Sequence, residues 1–223
     1  GRRRMTVVAI DGPVASGKST VARRVARRLG YLYLDTGAMY RAVGLLATEA
    51  GVPLDDESAV REVAATAHLC FDGDGRLHAG DRDLSGLIRS LEMGTAASIV
   101  STLPDVRRLL VERQRELGRG ADVVMEGRDI GTNVFPDAEV KVYLSARPGV
   151  RAERRAAEFE AAGAAVDRRQ VLTELRERDR RDSRREVAPL CKADDAVEVD
   201  SSGLSLEEVV DAVVAIVREK VSA

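Results

Sequence analysis

The sequence predicts an α/β domain, a parallel sheet with helices on both faces, and three observations carry that prediction. Short, nearly continuous apolar runs alternate with segments of helical period, the pattern of strands buried on two sides. The first run, Val7–Ile10, leads directly into a glycine-rich segment and then a helix. The 223 residues, 44% apolar and 32% charged, are enough for one well-buried core. Residues 1–223 are therefore expected to form a single domain.

The elements follow in order. Val7–Ile10 reads as a buried strand closed by the turn Asp11-Gly12-Pro13. From Ser19 to Leu29 the spacing of Val21, Val25 and Leu29 is helical, and Gly30 ends it. Tyr31–Leu34 is a second strand, and 36–50 a helix capped by Asp35 or Thr36. A helix is expected at about 57–68. From Leu69 to Asp83 short segments flank Asp72-Gly73-Asp74-Gly75, which predicts a β-hairpin insert. Helices are predicted at 86–102 and at 104–118, the latter with Pro104 in its first turn. Strands are predicted at 122–125, 140–144 and 197–199. Two long charged helices lie before the last of these, and an amphipathic helix spans 205–221. No internal repeat is visible.

Composition narrows the function. A net charge of −2 gives no field that would draw the protein onto a nucleic-acid polymer or an anionic membrane. No apolar run approaches the ~20 residues of a membrane span, and the basic start lacks the apolar stretch of a secretory signal. A cytoplasmic monomer is expected, with Met5 as its natural start and residues 1–4 an addition. Cys70 and Cys191 lie far apart, and His68 and His78 lack a metal-ligand cluster. Of the 35 basic residues only four are lysines, so a lysine is a stronger signal here than an arginine.

Gly12-Pro13-Val14-Ala15-Ser16-Gly17-Lys18-Ser19-Thr20 fits G-x-x-x-x-G-K-[ST] between a strand and a helix, the P-loop of nucleotide-binding proteins. Backbone N–H groups from Val14 to Ser19 can converge on phosphates at the positive end of the helix. Lys18 supplies a mobile charge, and the Ser19 hydroxyl suits Mg²⁺. No N-K-x-D base-reading motif is present, which argues against a GTPase.

Three further segments gather chemistry at the same sheet edge. Asp35-Thr36-Gly37-Ala38-Met39-Tyr40-Arg41 follows the second strand, where α/β sheets place ligands. Glu126-Gly127-Arg128-Asp129 ends another strand, with Glu126 where a carboxylate can hold Mg²⁺ through water. On the helix predicted at 167–186, the apolar stripe Val171, Leu175 continues as Arg178, Asp182 and Arg185, three charges on one face. Arginines outnumber acids there, so an anion is expected among them. Arg151, Arg154 and Arg155, followed by Ala161-Ala162-Gly163-Ala164, predict a mobile flap over the transferring phosphoryl.

Together, Ile-Asp-Gly-Pro…Gly-Lys-Ser-Thr, Leu-Asp-Thr-Gly-Ala-Met-Tyr-Arg, Glu-Gly-Arg-Asp-Ile-Gly-Thr-Asn-Val-Phe-Pro-Asp-Ala and Glu-Arg-Asp…Arg-Glu-Val-Ala-Pro-Leu resemble the bacterial cytidylate kinases, in order and over nearly the whole chain. The resemblance implies the P-loop NTPase fold with a five-stranded parallel sheet flanked by helices. It also implies an acceptor-nucleotide-binding subdomain at 36–102, within which 69–102 resembles the family's enlarged bacterial insert, and a mobile lid at 150–168. The implied reaction is ATP with CMP or dCMP, giving ADP and CDP or dCDP, with Mg²⁺. By position, Arg41, Arg128 and Arg185 hold the acceptor phosphate, Ser98, Arg107 and Asp129 read cytosine, and Arg178 and Asp182 take the ribose hydroxyls. Thr36 and Tyr40 belong to the same substrate site. Lys18, Arg128, Arg154 and Arg155 are the catalytic set, residues 12–20 hold ATP, and Ser19 and Glu126 face the metal. Thr36 stands where serine is frequent and Glu126 where aspartate is common.

The chemistry agrees with the residues. A phosphate nucleophile is already ionised at neutral pH, so the reaction needs positioning and charge neutralisation rather than a general base. Cytosine presents an N4 donor where uracil presents an acceptor oxygen, so Asp129 can favour the first and repel the second. Kinases for uridylate, thymidylate or shikimate, and a P-loop regulator used only as a switch, are the competing readings.

Overall fold

The computed structural model describes residues 5–161, 163 and 165–222. In chain order, β1 (Val7–Asp11), α1 (Lys18–Leu29), β2 (Leu32–Asp35), α2 (Thr36–Glu49) and α3 (Glu57–Thr66) come first. A small antiparallel sheet follows, β3 (Leu69–Phe71), β4 (Leu77–Ala79) and β5 (Arg82–Asp83), then a 3₁₀ turn at Leu87–Arg89. Next come α4 (Leu91–Val100), α5 (Pro104–Gly118) and β6 (Val123–Gly127), with a π turn at Ile130–Val134. The chain ends through β7 (Val140–Ser145), α6 (Pro148–Ala161), α7 (Arg168–Ser183), β8 (Val197–Asp200) and α8 (Leu206–Ser222).

The main sheet is parallel throughout, in the order β2-β6-β1-β7-β8. β1 is paired on both edges and covered on both faces, which is why every residue of Val-Val-Ala-Ile-Asp is buried. Its side chains alternate: Val8 and Ile10 pack with Val21, Val25, Val210 and Val213 of α1 and α8. Val7 and Ala9 pack with Met125, Ile130 and Val111 on the other face. The register sets Asp11 opposite Gly127 and Tyr143, and Asp35 opposite Glu126. The loops carrying Lys18, Thr36 and Arg128 therefore leave the sheet at one edge.

A further core, built around Met39, Val43, Val60, Leu77, Leu84, Val100, Val106 and Leu110, binds α2 to α5 and the small sheet. The expected helix at 86–102 is two pieces. Ser90 adopts an extended conformation, and its hydroxyl accepts from the Met93 N–H at 3.2 Å to cap α4. The hairpin gains a third strand, and the 167–186 helix stops at Ser183, so Arg185 lies beyond its end. Ala162 and Ala164 of the expected flap, and residues 1–4, lie outside the described residues.

Candidate active site

The phosphate loop occupies Gly12–Thr20 between β1 and α1. Gly12 has φ 154°, and a Cβ there would stand 2.1 Å from the Leu144 carbonyl oxygen, so only glycine lets the loop leave beside β7. Gly17 begins α1 with no side-chain cap, which leaves the first N–H groups of the helix to a ligand. The Lys18 ammonium is buried and donates to the Pro13 carbonyl at 2.6 Å and the Ser16 hydroxyl at 3.3 Å. Burial, with the nearby Arg128 charge, pushes its pKa well below the usual lysine range.

Glu126 lies buried at the end of β6. Burial and the neighbouring Asp35 raise its carboxyl pKa, against Lys18 and hydrogen bonds from Tyr33 and Ser19. Tyr33 donates to Glu126 Oε1 at 2.5 Å. The predicted metal pair, Ser19 and Glu126, is thus brought together. Asp11, one residue before the loop, accepts from the backbone N–H groups of Ile130 at 2.9 Å and Gly131 at 2.8 Å. Burial still raises its pKa to about 6. Sequence reading found Asp11 only as the end of a strand, because its partners lie 119 and 120 residues away.

Several of the predicted acceptor residues bond to one another and to the elements around them. Asp35 caps α2 through the Ala38 N–H at 2.9 Å and accepts from Arg41 at 2.7 Å. Thr36 donates its hydroxyl to the Glu126 carbonyl at 2.7 Å, so it fastens α2 to β6. Arg107, buried on α5, donates to Asp129 Oδ2 at 2.6 Å and to the Ser101 carbonyl at 3.3 Å, and lies 5.6 Å from the Tyr40 ring centre. Asn133 also donates to Asp129 Oδ2, at 3.0 Å, so both side-chain bonds fall on one oxygen. Arg128 donates to Asp182 Oδ2 at 3.0 Å. Burial opposes the Asp182 charge, yet Arg128, Arg185 and Arg178 hold its pKa below the usual range.

Among the described residues, the buried side-chain polar atoms without a protein partner are Arg41 Nε, Ser98 Oγ, Arg107 Nε, Gln114 Nε2, Thr132 Oγ1, Arg178 Nε and Arg185 Nη2. Five of these belong to the predicted acceptor residues. Each unmet buried donor costs about 1–3 kcal/mol, and a ligand rich in acceptor oxygens would satisfy the arginine donors among them. Electrostatics agree. Burial, then Arg128, brings the Arg178 pKa down to about 10, and burial, then Arg107, lowers that of Arg185. A cleft of about 530 Å³, a size that suits a small-molecule ligand, opens beside Arg185 between Pro104 and the end of α7.

The flap arginines divide. Arg155 pairs with Glu158 at 2.8 Å and lies over the Phe159 ring. Arg154 donates to the carbonyls of Ser16 at 3.3 Å and Ser201 at 2.8 Å, and to the Ser201 hydroxyl at 2.9 Å. Arg151 is buried and bonded wholly to protein: the carbonyls of Ala146 and Val14, each at 3.0 Å, and Asp179 at 3.1 and 2.6 Å. It does not extend toward a phosphoryl group as the expected flap arginine would. Asp179 and Ser201 were not legible as partners, since each pairs across more than 25 residues.

The family model for cytidylate kinase matches residues 8–219. A cytidylate kinase of Geobacillus sp. (strain WCH70) is 48% identical, over 96% of this chain and 97% of that protein. A bifunctional pantoate ligase/cytidylate kinase of Synechococcus elongatus is 47% identical over 99% of this chain. The chain spans only 43% of that relative's length. Among solved structures, a gluconokinase from Sinorhizobium meliloti 1021 covers 99% of this chain and 97% of its own, with TM-score 0.51 at 18% identity. That last likeness is one of fold alone.

Proposed function

The chain belongs to the cytidylate kinase family, and from that premise we propose that it moves the γ-phosphoryl of ATP onto CMP and dCMP, giving CDP and dCDP. The observation that carries the reading is the set of buried, unpartnered atoms on Arg41, Ser98, Arg107, Arg178 and Arg185. In this reading the loop amides and Lys18 hold the donor phosphates, while Arg41, Arg128 and Arg185 hold the acceptor phosphate. Arg178 and Asp182 take the ribose, and Ser98, Arg107 and Asp129 read the base, with Tyr40 behind Arg107. An ionised acceptor oxygen then attacks in line, and no proton has to be removed first.

Two polyanions repel one another, so the work of the site is neutralisation. Lys18 and the arginines supply fixed positive charge that needs no reorganisation during transfer. The hydroxyl of Ser19 beside a buried carboxylate is an oxygen donor set that fits a hard cation, and Glu126, disfavoured as an anion by burial, is eased by one. Mg²⁺ held there by Ser19 and Glu126 would offset the charge of the donor phosphates. Residues 36–102 serve as the acceptor subdomain and 150–168 as a lid that brings Arg154 and Arg155 toward the donor phosphates. All named groups come from one chain, so a monomer suffices. Among the described residues no helix is long and apolar enough to cross a membrane, and the reading places the enzyme in the cytoplasm with its nucleotides.

The test is to supply ATP and Mg²⁺ with CMP, UMP, TMP or shikimate and follow ADP. Rapid turnover with CMP and dCMP is expected, with the other acceptors slower by orders of magnitude. Equal rates with another acceptor, or no turnover with CMP, overturns the reading.

A further inference from the structure

We propose that Arg151 is a positioning residue that couples the phosphate loop to the helix carrying Arg178 and Asp182, so that the two nucleotide sites report on each other. The inference rests on the reading of those two residues as acceptor-binding groups. Its physical basis is the placement of one guanidinium. Arg151 projects from α6 into the interior, and its fork reaches three separate parts of the molecule. Nε donates to the Ala146 carbonyl, which fixes the plane of the group. Nη1 donates to the Val14 carbonyl in the phosphate loop, and Nη1 and Nη2 together clasp both oxygens of Asp179 on α7. Only arginine offers this planar set of donors, because lysine is a point charge that cannot hold the loop and both carboxylate oxygens together.

The geometry on α7 gives the contact its meaning. Successive helical residues turn by about 100°, so Asp179 points toward α6 and the loop while Arg178 and Asp182 point into the acceptor site. Any rotation of α7 that Asp179 resists is a rotation that would displace Arg178 and Asp182. At the other end, the carbonyl that Arg151 holds belongs to a peptide of the loop whose N–H groups are suited to phosphate. A loop drawn onto phosphates shifts the Val14 peptide, and Arg151 passes that shift to Asp179. Arg154, one turn along α6, donates to the Ser16 carbonyl, so α6 follows the loop at two points. The molecule also contains a natural contrast. Gln170 of α7 donates to Glu174 at 2.8 Å along the exposed side of the same helix, a bond that stays within α7.

Four proteins decide the matter: Asp179→Asn, Arg151→Gln, the double variant, and Gln170→Ala as the comparison. Amide hydrogen exchange in α7 is measured with and without a non-hydrolysable ATP analogue, and KM is measured separately for CMP and ATP. In the unmodified protein the analogue is expected to slow exchange across 175–182. In Asp179→Asn that slowing is expected to vanish, with KM for CMP up about tenfold and KM for ATP within twofold. The double variant should match the worse single one, and Gln170→Ala should behave as the unmodified protein. Three results overturn the proposal: unchanged α7 exchange on analogue binding, an equal effect from Gln170→Ala, or additive effects in the double variant. The last would mean that Asp179 acts on the nucleotide directly. Absence of CMP turnover in the unmodified protein defeats the functional reading instead, and the exchange measurement still tests the coupling.

Discussion

At the scale of single residues, two side chains carry the sharpest consequences. Lys18 is buried, bonded to loop acceptors and depressed in pKa by burial and Arg128, and in the proposed reading its charge holds the donor phosphates. Lys18→Ala is expected to lower kcat by more than about 10²-fold, since a positioned charge on the transferring group is lost. Circular dichroism should show the fold intact, and near-normal turnover by the folded variant would remove the loop from the mechanism. Asp129 receives Arg107 and Asn133 on one oxygen, and in the proposed reading the other accepts from the base. Asp129→Asn offers an amide N–H to uracil O4 in place of an acceptor for cytosine N4. A matched polar pair against a mismatched one amounts to roughly 1–3 kcal/mol. The CMP-to-UMP ratio of kcat/KM should therefore narrow about tenfold or more. An unchanged ratio would make Asp129 only a support for Arg107.

At the scale of elements, the proposed acceptor site draws on α2 and α4, which approach one another closely. A Cβ on Gly44 would stand 2.8 Å from the Ala96 Cβ, closer than packed carbons allow. Ser98, with its unpartnered hydroxyl, sits on the same helix two residues further on. Gly44→Ala gains helix propensity of up to about 1 kcal/mol, but overpacking at such a crossing costs about 1–3 kcal/mol. A net loss of stability is expected in urea unfolding, with KM for CMP raised and KM for ATP unchanged. Adding Ala96→Gly should restore the lost contact distance and most of the CMP affinity. A stabilised Gly44→Ala variant would show that α4 yields freely and that the crossing does not set the site.

At the scale of the whole molecule, the buried carboxylate of Asp11 couples stability to pH. Its pKa is about 6 in the folded chain, raised chiefly by burial, against an ordinary value of 3.8. Between those values the folded protein holds a proton that the unfolded chain has released. This contribution to stability is complete below about pH 3.8 and is lost as pH rises through about 6. The lost amount is on the order of 3 kcal/mol. Urea unfolding from pH 4 to 7 should show the unmodified protein losing stability relative to Asp11→Asn as pH rises. A difference independent of pH would place the Asp11 pKa near its ordinary value.

Much of this architecture was legible before any coordinates. The strands near 7–10, 122–125 and 140–144, the helix at 104–118 and the phosphate loop are local patterns, and each survives because burial on both faces and the turn chemistry of glycine act over a few residues. The charged face Arg178, Asp182, Arg185 was legible for the same reason, although Arg185 falls past the helix end. The break at Ser90 was not, because a serine within an apolar stretch reads equally as an interior helix residue until its hydroxyl is seen on the Met93 N–H. Sequence by itself thus determined the fold class, the donor loop and the family, all written in short-range order. Only the tertiary structure decided the pairings: Asp11 with the amides after β6, Tyr33 with Glu126, and Arg151 with both Val14 and Asp179. These join segments 28 to 137 residues apart, and which buried charge meets which is set by the packing of the sheet and helices, not by any interval along the chain.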